Sequence, residues 1–133
     1  MKIIIRLSVI TIMMLCSITF QSIAQQNTDE AMLSDLAIPL MEGLVENKEE
    51  ALLFDSPQGR IINAVASGAI EGKKIYEYYT AVLPSLGWIV EMRKKCDENA
   101  ELCLSAIRDK ESLSLLIDVK SGTSTVTYSL SPK

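Results

Sequence analysis

Two cysteines, Cys96 and Cys103, are the residues of this chain whose type and spacing come nearest to chemistry. They flank Asp97 to Leu102, and in an oxidising compartment so close a pair reads as a disulfide. The strand patterns object, because Cys103 sits on the polar parity of its strand whereas Cys96 shares the parity of Trp88, Val90 and Met92. A regular ladder cannot join opposite faces, so a bridge needs a bulge or an irregular Asp97-to-Leu102 loop. A redox-active pair is disfavoured, since the spacing is not C-x-x-C and no helix start follows Cys96. Two cysteines without histidine leave zinc short of ligands.

The chain holds no histidine. That removes the usual general base and every serine or cysteine mechanism that needs an imidazole. The carboxylate pairs Glu49–Glu50 and Asp97–Glu98 are adjacent residues on solvated stretches, not a two-sided acid/base pair. The glycines are scattered and form no phosphate loop. No catalytic residue, cofactor site or metal site can be assembled, and the expectation is a protein that is not an enzyme.

Tyr76, Tyr78 and Tyr79 cluster on one predicted helix. Tyr79 shares the face of Ile75 and Val82 and reads as core. Tyr78 points elsewhere, and with Trp88 it is the best aromatic candidate for a contact surface, although a core or half-exposed role suits both. Lys73, Lys74 and the run Arg93 to Lys95 read as solvated edges.

These residues belong to a chain that begins like an exported protein. Lys2 and Arg6 precede the apolar stretch Leu7 to Phe20, and Ser22-Ile23-Ala24 suits cleavage before Gln25. The apolar stretch would span roughly 21 Å as a helix, short of a ~30 Å hydrocarbon core. Residues 1–24 are therefore expected as a signal peptide and the product as periplasmic or secreted, with membrane contact only if the leader stays uncleaved. Cys16 is not a lipoprotein cysteine, because Leu15 before it is not small.

Removing Lys2 and Arg6 from 13 basic residues leaves 11 against 17 acidic, a net charge of −6. That balance argues against nucleic acid and anionic lipid as partners. Eight acidic and two basic residues lie between Gln25 and Arg60, against nine of each beyond. Residues 25–50 thus read as an acidic lead-in, solvated rather than core. Within it, a short helix is expected over Ala31 to Ala37, and Leu40, Met41 and Leu44 around Gly43 as an apolar plug.

Residues 51–133 carry the orderly pattern of one α+β domain. Ala51 to Asp55 and Arg60 to Gly68 read as strands joined by Ser-Pro-Gln-Gly. Lys73 to Leu86 reads as a helix capped by Gly87. Ala64, Ala66 and Gly68 would let that helix lie close. Four strands follow, starting near Trp88, Leu102, Leu113 and Thr123, the last two alternating cleanly between apolar and hydroxyl or charged residues. A two-residue Ser121-Gly122 turn sets Leu115 against Tyr128 and Ile117 against Val126, and a four-residue loop over Arg108 to Glu111 sets Leu104 against Leu115. The expected architecture is ββαββββ, an antiparallel sheet with the helix as its only cover.

The run from Tyr78 through Leu83-Pro84-Ser85-Leu86-Gly87-Trp88 resembles a family of small, uncharacterised exported proteins of alphaproteobacteria. Gly59-Arg60-Ile61, Pro39 to Leu44 and the Ser129-to-Pro132 tail are similar as well, so the resemblance covers most of the mature chain. It implies no activity, and its motifs look structural: helix end, turn, buried tryptophan. The layout is also similar to domains of envelope lipoproteins in outer-membrane assembly, as an analogy of fold alone. The functional expectation is a non-enzymatic binding or interaction module whose partner is an envelope protein, met through the sheet edge or the helix's solvent face. The alternative is a small periplasmic enzyme or enzyme inhibitor built from backbone and carboxylates.

Overall fold

The computed structural model describes residues 33, 35–91, 96 and 100–133. The expected signal peptide lies outside them. Among the described residues no helix is long and apolar enough to cross a membrane.

Among the described residues the fold is α+β, with one helix on a seven-stranded antiparallel sheet. Strand β1 (Val45–Glu46) precedes a 3₁₀ turn at Lys48–Glu50, then come β2 (Leu52–Ser56), β3 (Gly59–Gly68), α1 (Gly72–Ser85), β4 (Ile89–Glu91), β5 (Leu102–Arg108), β6 (Glu111–Lys120) and β7 (Thr123–Pro132). The spatial order is β1-β3-β7-β6-β5-β4, and β2 also pairs with β3. Thus β1 and β2 flank β3 in succession, Val45 opposite Ser67 and Leu52 opposite Asn63. The short β1 was not foreseen.

The expected registers hold. Lys120 faces Thr123, Ile117 faces Val126 and Leu115 faces Tyr128. Leu104 faces Leu115 and Leu102 faces Ile117. Ser121 and Gly122 both take positive φ, 53° and 80°, which matches a primed hairpin turn and the strands' twist. Arg108 and Glu111 are still a ladder pair, so the β5–β6 connection is tighter than a four-residue loop while keeping its register.

Helix α1 buries Gly72, Ile75, Tyr79 and Leu83, one stripe at helical spacing. Its end is a Schellman motif: Trp88 N–H donates to the Leu83 carbonyl, Gly87 N–H donates to that of Pro84, and Gly87 takes φ 84°. Pro84 lies inside the last turn, and the helix continues to Ser85. The helix runs over β4, β5 and β6. At its start a side chain on Gly72 would meet Val119 Cγ2 at 2.9 Å, so glycine permits the close approach.

The helix is not the sheet's only cover. Leu33, Leu36, Ile38, Leu40 and Leu44 are buried in the same core as Ile62, Leu115 and Tyr128. The lead-in is therefore divided: its apolar residues enter the core, while Lys48, Glu49 and Glu50 remain exposed. The small residues of β3 admit this segment rather than the helix, since a Cβ on Gly68 would lie 2.2 Å from the Gly43 carbonyl oxygen. Of the helix expected over Ala31 to Ala37, the described residues form a turn instead. Leu33 N–H donates to the Ile38 carbonyl, and Ala37 takes φ 50°. Pro39 shortly afterwards disfavours a longer helix.

Candidate functional site

Cys96 and Cys103 are bridged, with Cα atoms 5.4 Å apart. Cys103 stands opposite Leu116, on the sheet face away from the core, as the strand parity requires. The parity objection to a bridge took the preceding strand as running to Cys96. Cys96 itself lies in no strand, so the alternation of β4 does not fix the direction of its side chain. Both sulfurs are thus committed to a structural link.

Trp88 is 3% exposed and belongs to the core. The guanidinium of Arg108 lies 4.2 Å above its ring and caps it against solvent. Arg108 also donates to the Leu86 carbonyl at 3.3 Å and pairs with Glu111 at 3.2 Å. Tyr78 is half-buried, packed edge-on against Tyr79 with ring centroids 5.0 Å apart. Trp88 is consumed as packing between sheet and helix end, and Tyr78 packs partly against the core. Lys73 and Lys74 pair with Glu77 and Glu71 on the helix exterior, as solvated edges do.

A hydrogen-bonded cluster missed in the sequence sits where lead-in, helix and sheet meet. Tyr79 Oη is 2.8 Å from Tyr128 Oη, donates to the Pro39 carbonyl at 3.2 Å and accepts from Met41 N–H at 3.4 Å. Burial pushes the Tyr79 hydroxyl's pKa up, opposed by the hydrogen bonds from Tyr128 and Met41. Burial also raises that of Tyr128, and the neighbouring Tyr79 adds to it. Two neutral phenols held this way are positioned to bind the structure together. Among the described residues no group of three His, Cys, Asp or Glu could hold a metal ion.

The accessible chemistry lies at the sheet's edge. Leu52, Leu53 and Phe54 of β2 are 56%, 45% and 58% exposed. Val45 of β1 is exposed too, and the registers put it on the same face as Leu52 and Phe54. This face carries Ser67, Thr125, Thr127, Ser129 and Ser114 across its middle, half-buried. The β2–β3 hairpin closes through Pro57–Gln58 with Ser56 opposite Gly59. Pairs flanking a two-residue turn exchange their hydrogen bonds, and alternation then directs Leu53 and Asp55 backbone groups to the open side. Consecutive apolar residues in Ala51 to Phe54 were the available signal for this edge. A short continuous apolar run reads equally well as a buried strand, so composition alone did not single it out.

Comparison with protein-family models, curated proteins and solved structures finds no match to this chain.

Proposed function

We propose that the mature chain is a non-enzymatic module of the cell envelope that engages another protein by strand addition at β2. The observation that carries this reading is the exposure of Leu52, Leu53 and Phe54 on a strand that, among the described residues, is paired on one side only. Strand addition uses main-chain hydrogen bonds for affinity and alternate side chains for selection. Here the open groups of Leu53 and Asp55 supply the first, and Leu52 and Phe54 supply the second. The edge has no lysine or proline between Leu52 and Ser56 to discourage pairing. The leader-like first residues support an envelope location, and the acidic surface supports a protein rather than a nucleic acid as partner.

The test is a photoreactive residue at Phe54, activated in intact cells, beside the same probe at Lys73 on the helix exterior. The reading expects a discrete protein adduct from position 54 alone. No adduct there, or the same adducts from both positions, would refute it.

A further inference from the structure

Resting on the strand-addition reading, the geometry points to a second copy of this chain as the protein that pairs with β2. A two-fold axis perpendicular to the sheet keeps each face on its own side and sets β2 antiparallel to its copy. The registers open to it can be compared one by one. Centred on Leu53, the pairing sets Leu53 against Leu53, Leu52 against Phe54, and Asp55 against Ala51. Both exposed apolar residues that β2 carries on the outer face then meet apolar partners, an aliphatic–aromatic cross-strand pair made twice.

Neighbouring registers pair less well. Centring on Asp55 sets two carboxylates directly opposite, which is destabilising. Centring on Phe54 sets Asp55 against Leu53, and centring on Leu52 sets Asp55 against Glu49. The Leu53 register also sets the open backbone groups of Leu53 against those of its copy and those of Asp55 against Ala51, as a ladder needs.

Charge complementarity favours the same arrangement. Arg60 already leans across β2, its Nε 3.6 Å from Asp55 Oδ1, with both side chains largely exposed. Strands lie about 4.8 Å apart, so Ala51 of the second copy comes within reach of that guanidinium. The residues just before Ala51 are the exposed Glu49 and Glu50, in the 3₁₀ turn. Antiparallel pairing therefore brings each copy's acidic turn beside the other's Arg60, and the two-fold makes the contact twice. The product is a continuous sheet with both helices on one face.

Sedimentation of the purified chain across a dilution series reads the outcome. Twice the monomer mass is expected at the concentrated end, with Leu53→Lys remaining monomeric while keeping its far-ultraviolet spectrum. A second measurement does not depend on that variant folding. Under mild oxidation, a mixture of Leu52→Cys and Phe54→Cys chains should form a covalent dimer, because those positions are directly opposed. Leu52→Cys alone should not, because its own copy lies two residues further along. A chain that is monomeric throughout, or equal crosslinking by Leu52→Cys alone, overturns the inference. If the position-54 photoprobe still captures a different protein in cells, the second copy falls and the strand-addition reading survives. If that adduct is lost too, both fall.

Discussion

The hydroxyl of Tyr79 on the helix lies 2.8 Å from the hydroxyl of Tyr128 on β7, with the rings edge to face at 5.5 Å between centroids. Tyr79 has one proton, which goes to the Pro39 carbonyl, so it accepts from both Met41 N–H and Tyr128. One phenol therefore fastens helix, sheet and lead-in. Tyr128→Phe removes a single donor and should cost about 1 kcal/mol, whereas Tyr79→Phe orphans three buried partners and should cost about 3 kcal/mol. Urea denaturation of the two variants checks the order. Equal losses would mean that Tyr79 is not the hub.

The same two phenols make the fold sensitive to alkali. Their folded-state pKa values are raised by burial, so their contribution is intact below the unfolded value near 10 and declines as pH rises past it. At about pH 11 the expected loss from Tyr128 is about 1.4 kcal/mol, and Tyr79 adds a loss of the same sign. Denaturation curves at neutral and alkaline pH, repeated on Tyr128→Phe, should show a smaller alkaline loss in the variant.

Register decides the cost of substitutions in the last hairpin. Ile117 is fully buried opposite Val126, whereas Thr125 faces outwards beside Asp118. Ile117→Ala should cost ~2–5 kcal/mol and Thr125→Ala within about 0.5 kcal/mol. A larger loss at Thr125 would contradict the assignment of the buried face.

The docking of the lead-in can be probed at Gly68. An added Cβ there collides with the Gly43 carbonyl, while at Gly122 nothing lies within 4 Å and only its positive φ opposes a side chain. Gly122→Ala should cost about 1 kcal/mol. Gly68→Ala should cost more and should raise hydrogen exchange in the segment around Gly43. Unchanged exchange at Gly43 would mean that the two segments do not touch in solution.

Reduction of the Cys96–Cys103 bridge should destabilise the protein by about 2.5 kcal/mol, the chain-entropy value for so short a loop. Protein from an oxidising compartment, denatured without reductant, should show neither thiol to a labelling reagent. Two labelled thiols would sink the bridge.

Alternation by itself determined the β5–β6–β7 meander. In Leu113 to Val119 and Val126 to Leu130 every second residue is apolar, and a one-residue slip exposes all of them at once, so local pattern and pairing admit one answer. The helix and its Gly87 cap were legible for the same reason: spacing and a glycine stop are local signals. The disulfide was suggested by spacing but opposed by parity, and only the folded chain shows Cys96 outside any strand and bridged to Cys103. Tertiary structure alone decided which surfaces are covered. Leu33 to Leu44 has no period that announces burial, yet it fills the part of the sheet face that α1 leaves open. Trp88 is hidden because Arg108, twenty positions away, folds over it. Leu52 to Phe54 are as apolar as any core strand, and they stand exposed because β2 is the edge, a property of strand order that no single segment encodes.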